Sequence, residues 1–173
     1  MARIFPGRYT ARIDGPFVVF LIGVRINRLW AVHRWVPVAA AMPPMQVALK
    51  KNTKGLLGLE QWVGWRQVMN VQYGRSFEDL ENFARNPSDP HLQAWKDFNQ
   101  RVGANGNGSV GIWHETRLVN AGQYECVYAN LPRLGLAAAT DHVPAIGNRE
   151  TARLRLGGYS EPAVPSPPTP EAE

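Results

Sequence analysis

The stretch Phe17-Val-Val-Phe-Leu-Ile-Gly-Val-Arg-Ile26 decides the fold. Its apolar residues run on continuously instead of alternating, and many are β-branched or aromatic, the pattern of a strand buried on both faces. Something must then cover each side of the sheet that holds it. Ahead of it, residues 1–16 carry Pro6, Gly7, Gly15 and Pro16 and too little periodicity for a helix. They read as an ordered arm, extended around Tyr9 to Ile13 and suited to reach a neighbouring subunit.

After this strand, Asn27 is placed to cap a helix in which Leu29, Val32, His33, Val36 and Ala40 recur at helical spacing. Pro37 and the Pro43-Pro44 pair are expected to break or kink it. Residues Gly55 to Gly64 and Trp65 to Gly74 read as a hairpin. Leu57, Leu59 and Gln61 fall on one face against Gly58, Glu60 and Trp62, and Val68, Asn70 and Gln72 oppose Met69, Val71 and Tyr73. Ser76 caps the next helix, with Asp79 as the capping-box acid and Phe77, Leu80, Phe83 and Ala84 as its apolar face. A further helix from His91 to Val102 puts His91, Trp95, Phe98 and Val102 on one side.

A Gly- and Asn-rich loop then delivers the chain to VGIWHETRLVNAGQYECVYAN, residues 110–130, which reads as two strands around an Ala121-Gly122 turn. Trp113 and Glu115 face one side of that strand and His114 the other. Leu131 to Ala139 reads as a short helix or loop, and Leu154 and Leu156 alternate with Arg153 and Arg155 as an edge strand. Ser160 to Glu173 is Pro-rich and acidic and reads as a disordered, solvated tail. The order β-α-β-β-α-α-β, with one more strand, gives an α+β, ferredoxin-like split βαβ with an antiparallel sheet over residues 17–159. Helices cover only one side, so a second copy is expected on the other, forming a homodimer.

A chain of 173 residues with 45% hydrophobic residues suits a single globular domain. All 19 Lys and Arg precede Ser160 with 11 of the 14 acids, so the body carries +8 and the tail brings it to +5. The basic residues are scattered and no binding motif accompanies them, so nucleic acid is not an expected partner. A lone Cys126 excludes an internal disulfide and fits a reducing cytoplasm. MARIFPGRYT has no apolar core of a signal peptide, and the run Phe17 to Val24 is too short to cross a bilayer, so no membrane partner is expected.

The span from Phe17 to about Leu136, above all RSFEDLENFARNPSDPHLQAWKDFNQRVG and VGIWHET, resembles the monooxygenase-like branch of the dimeric α/β-barrel superfamily, in a subgroup of largely unassigned role. That superfamily includes cofactor-independent antibiotic-biosynthesis monooxygenases, haem-degrading monooxygenases, chlorite dismutase-like haem proteins and haem aldoxime dehydratases. The resemblance implies a pocket between the sheet and the helices, and chemistry of the kind found in secondary metabolism. It also implies two readings of His91: an iron ligand, as on the corresponding helix of haem-degrading relatives, or a residue that caps and packs.

For oxygenation without a bound cofactor, a base must make a substrate carbanion or phenolate and donors must hold the anion. His114 and His33 are the candidate bases, with Glu115 and Tyr73 beside them in the candidate catalytic set. Trp30, Arg34, Trp62, Asn70, Gln72, Trp95 and Trp113 are the candidate substrate-binding residues. Each Trp has a plain alternative as core filler or interface anchor, and His114 has one as a hydrogen-bonded interior residue. No Ser-His-Asp order, phosphate loop, HExxH or paired-carboxylate motif is present, which argues against hydrolases, nucleotide binders and zinc peptidases. The leading expectation is a homodimeric monooxygenase-like enzyme acting on an apolar or aromatic small molecule without a cofactor. The alternatives are a haem b enzyme with His91 or His114 on the iron, and a non-catalytic small-molecule binder.

Overall fold

In a computed structural model of the chain, residues 2–51, 55–86, 96 and 108–158 are described. They form β1 (Phe5–Arg12), β2 (Phe17–Ile26), α1 (Val32–Lys51), β3 (Leu56–Val63), β4 (Gln67–Gly74), α2 (Phe77–Arg85) and β5 (Val110–Val119). Then come β6 (Tyr128–Leu131), α3 (Leu136–Ala139), β7 (Asp141–Pro144), a 3-10 turn (Gly147–Arg149) and α4 (Ala152–Arg155). The chain divides into two compact units, Met1–Phe17 with Leu118–Glu173, and Val18–Arg117. The expected helix from His91 to Val102 and the tail from Ser160 lie outside the described residues, apart from Lys96, which is helical.

The unit Val18–Arg117 carries a four-stranded sheet in the order β3-β4-β2-β5, the strand order of a ferredoxin-like α+β fold. β2 pairs antiparallel with β4 from Val18 opposite Gly74 to Arg25 opposite Gln67. The β3–β4 hairpin forms as the alternation predicts, except that a register shift between Leu56 and Gly58 puts Leu56 in the place expected for Leu57. Where β2 ends, the Asn27 and Arg28 N–H groups donate to the Ser109 carbonyl at 2.9 and 3.2 Å, so Asn27 serves the sheet and the helix begins only at Val32. Val24, Val38 and Val110 form a buried cluster with Trp35 and Ile112 against it, which places α1 on the Val24 face.

The expected break at Pro37 and Pro43-Pro44 does not occur: α1 continues through all three prolines. Each proline forgoes an intrahelical bond. Packing holds the helix between and after them, through buried Val38 and through Gln46, whose Nε2 donates to Asn70 Oδ1 at 3.0 Å. α2 begins as predicted, with Ser76 Oγ accepting from the Asp79 N–H at 3.1 Å and donating to Asp79 Oδ2 at 2.8 Å.

On the opposite face, a Cβ built at Gly23 would lie 2.5 Å from Trp113 Cε2 and Nε1, so the indole rests directly on the glycine. Gly23→Ala is expected to cost about 1–2 kcal/mol through this overlap. Adding Trp113→Ala should recover part of that loss in a urea titration, whereas two additive losses would mean the ring does not sit there.

The other unit holds a three-stranded sheet, β6-β1-β7, with both partners antiparallel to β1. The N-terminal arm is therefore a central strand of its own chain, and both its edges are filled. The Ala121-Gly122 turn is present, with Gly122 at φ 74°, but the strand after it does not return along β5 as expected. Residues between the turn and β6 spend their groups on β1 and its exit instead. Cys126 O accepts from Thr10 Oγ1 at 2.8 Å, Cys126 Sγ from the Ala11 N–H at 3.4 Å, and Tyr124 OH from the Ile13 N–H at 3.0 Å. The edge strand expected at Leu154 and Leu156 is a helical turn, α4, capped by Thr151 Oγ1 accepting from the Leu154 N–H at 3.2 Å.

On one face of this sheet His142 stacks on Tyr9 at 4.3 Å and meets the edge of Phe5 at 4.8 Å, with Arg133 over the same Phe5 ring. Burial, helped by the Arg133 charge, holds the His142 pKa below its usual 6.5. The folded state thus binds its proton less readily than the unfolded chain. The stability it contributes is full above pH 6.5 and falls as pH drops from there through the folded value. His142→Phe should flatten the pH dependence of the melting temperature in that window; an unchanged slope would remove His142 as its source.

Candidate functional site

Strand register sorts the candidate residues of the unit Val18–Arg117 onto two faces, because directly paired residues point the same way. Leu59 pairs with Gln72 and Gln72 with Phe20, and the His114 ring lies 5.8 Å from the Phe20 ring. Leu59, Gln72, Phe20 and His114 therefore form one row across all four strands, on the same face as Val24 and the helices. One step along, Asn70 pairs with Ile22 and is 1% exposed, its Oδ1 already accepting from Gln46.

A shallow cleft, open to solvent, lies beside this row between the sheet and α2. Val18, Phe20, Leu56, Leu80 and Phe83 give it apolar walls, and Gln72, Ser76 and Asp79 bring polar groups to them. Phe20 is shared between the cleft and His114, which itself stands exposed. Sequence reading singled out Gln72 and His114 but missed Phe20, Leu56 and Leu80 as lining. Phe20 gave no signal of its own, being one apolar residue in a continuous run.

The remaining candidates lie elsewhere. Tyr73, Trp62 and Trp113 belong to the opposite face: Tyr73 pairs with Val19, Trp62 with Met69, and Met69 with Gly23, on which Trp113 rests. Glu115 follows Trp113 on that face and is bridged by Arg117 at 2.8 Å, an exposed pair of small energetic weight. His33 and Arg34 begin α1, where Arg34 Nε donates to His33 Nε2 at 3.2 Å. Trp30, just before them, is 79% exposed. His91 and Trp95 lie outside the described residues. Among the described residues no group of three or more His, Cys, Asp or Glu side chains could hold a metal ion.

A four-stranded sheet in this order, with helices on one face and an apolar cleft between them, defines a ferredoxin-like α+β protein. The chain belongs to the Monooxygenase af470-like family, which residues 17–136 match. It is 28% identical over 151 residues to Monooxygenase af470 of Aspergillus fumigatus, an alignment covering 75% of this chain and 53% of the fungal protein. The chain thus spans about half the length of that relative. An aldoxime dehydratase, OxdRE, solved in complex with butyraldoxime, shares the fold with a TM-score of 0.60 and 17% identity over 78% of this chain and 42% of its own. SnoaB, a cofactor-independent oxygenase from Streptomyces nogalater, aligns with a TM-score of 0.42 and 8% identity over 58% of this chain and 90% of its own.

Proposed function

We propose that the protein is a monooxygenase-like enzyme that takes an apolar or aromatic metabolite on the helix side of the β3-β4-β2-β5 sheet, without a bound organic cofactor. The observation that carries this reading is the row in which Phe20 lies between His114 and Gln72. An aromatic substrate stacked near the Phe20 ring would have a base on one side and an amide donor on the other. His114 would take a proton from the substrate, and the Gln72 amide would hold the resulting oxyanion while it passes an electron to molecular oxygen. His33 is the less available of the two, since its Nε2 already accepts from Arg34. Membership of a monooxygenase-like family supports the reaction class.

The second expected partner is another copy of the chain. Val19, Leu21, Met69, Val71 and Tyr73 are half-buried on the face away from α1, and Trp62 beside them is 50% exposed. An apolar sheet face of this kind is covered economically by its own copy. Sedimentation equilibrium should return a dimer mass; a monomer at every concentration would remove this pairing.

The haem alternative rests on His91 or His114 as the iron ligand. His91 lies outside the described residues, and His114, exposed beside the Phe20 ring, is the described one of the two candidate iron ligands. The test of the function is oxygen uptake by the purified protein with a panel of quinols, anthrones and related phenols. Uptake with at least one of them, by a preparation without a Soret band, is the expected result. A Soret band that vanishes in His114→Ala would replace this reading with the haem enzyme. No uptake across the panel, together with ligand-raised melting temperatures, would leave a binding protein.

A further inference from the structure

The end of the sheet where β2 stops carries a surface that the proposed reaction does not use. The β3–β4 turn protrudes there, and the Ile26 N–H donates to the Arg66 carbonyl at 2.7 Å, so the turn and the β2 exit are neighbours. At the turn Val63 is 75% and Trp65 86% exposed, with Trp62 behind them. Just past β2, Trp35 Nε1 donates to the Leu29 carbonyl at 3.0 Å and fixes the bend from which Trp30 projects. Single exposed apolar residues are ordinary, but two exposed Trp and a Val at one end of a sheet are a patch.

The charge around it is one-sided. From Gly15 to Phe77 the sequence contains one acid, Glu60, against Arg25, Arg28, Arg34, Lys50, Lys51, Lys54, Arg66 and Arg75. That stretch carries +7, and Arg25, Arg28 and Arg66 are its cations at this end of the sheet, while Lys50 and Lys51 close α1 and Arg75 follows Gly74 at the opposite end. Arg25 and Arg28 are exposed beside the patch, and Arg66 is in the turn itself. Exposed Trp set among Arg is the chemistry of an anionic bilayer surface, where indoles settle at the headgroup level and cations meet the lipid charge.

We infer that this end of the sheet docks on an anionic lipid surface. Docking needs no spanning segment, and among the described residues no helix is long and apolar enough to cross a membrane. The inference is independent of the reaction proposed on the helix side. It narrows the expectation of no membrane partner to one of no span.

The test is co-sedimentation of the full chain with vesicles of phosphatidylcholine alone and with roughly a third phosphatidylserine, at low salt and at about 0.15 M. The expected result is binding to the anionic vesicles, weakened by salt, with a blue shift of Trp emission and little binding to phosphatidylcholine alone. The pair Val63→Ser with Trp65→Ser, and separately Arg28→Glu with Arg66→Glu, should each weaken binding by about tenfold or more, with circular dichroism and urea midpoints unchanged. No binding to anionic vesicles, or equal binding by either pair, would overturn the inference. So would binding to a duplex oligonucleotide in place of vesicles, or a dimer that the Trp65 pair dissociates while vesicle binding is absent.

Discussion

His114→Ala should lower oxygen uptake, on whichever phenol of the panel turns over, by about 100-fold or more with folding intact. General-base catalysis contributes roughly 10²–10⁴-fold, so loss of the base in the row removes most of the rate above the uncatalysed reaction. Because His114 is exposed at the edge of the row, its truncation leaves no cavity and the melting temperature should move little. Gln72→Leu keeps side-chain volume and removes the amide, and is expected to cost about tenfold or more in kcat with less change in KM, since the oxyanion exists only after deprotonation. His33→Ala should stay within a few-fold of the parent. A His114→Ala variant as active as the parent would remove the base from that position, and with it the reason for placing substrate beside Phe20.

Arg155→Ala is expected to destabilise the unit built on β1 by about 3 kcal/mol. The Arg155 side chain is only 7% exposed, and its Nε and a terminal nitrogen both donate to Glu125 Oε1. Its other terminal nitrogen donates to the Arg149 and Glu150 carbonyls at 2.7 and 3.0 Å. Alanine leaves the Glu125 carboxylate, 29% exposed, without that partner and removes a donor from the Arg149 carbonyl, while the Glu150 carbonyl still accepts from Arg8. Arg155→Lys should recover only part of the loss, since an ammonium cannot present the same planar fork. The measurement is the urea midpoint; a shift below about 0.5 kcal/mol would show that water replaces these bonds without cost.

Much of the fold was legible because its signals are local. The Phe17–Ile26 run announces a central strand, and alternation in Leu56–Val63 and Gln67–Gly74 gives the two faces correctly apart from one bulge. Ser76 and Asp79 mark the start of α2 by their residue types and spacing alone. What failed depends on partners distant in sequence. β6 follows a true turn, yet it pairs with β1 because Tyr124 and Cys126 are held by Ile13, Thr10 and Ala11, more than a hundred residues earlier. The prolines of α1 carry a local rule that packing through Val38 and Gln46 overrides.

The candidate site divides in the same way. Alternation puts His114 opposite Trp113 and Glu115, and Gln72 opposite Tyr73, so the split of the candidates between faces could be read from the sequence. It could not show that His114 and Gln72 flank one ring, because that depends on which strands lie beside β2. The Phe5, Tyr9 and His142 cluster had no sequence signal either, since it is made by the pairing of Ala11 with His142 across the whole chain.

The most direct test is NMR of the full chain during titration with a phenol that supports oxygen uptake, observed under anaerobic conditions so that it binds without reacting. The Phe20 ring, the His114 imidazole and the Gln72 side-chain amide should shift together and saturate at one ligand concentration, while the Trp62 and Trp113 indoles stay in place. Saturable shifts confined to those two indoles, with Phe20 and His114 unmoved, would put the substrate on the opposite face of the sheet and contradict the account.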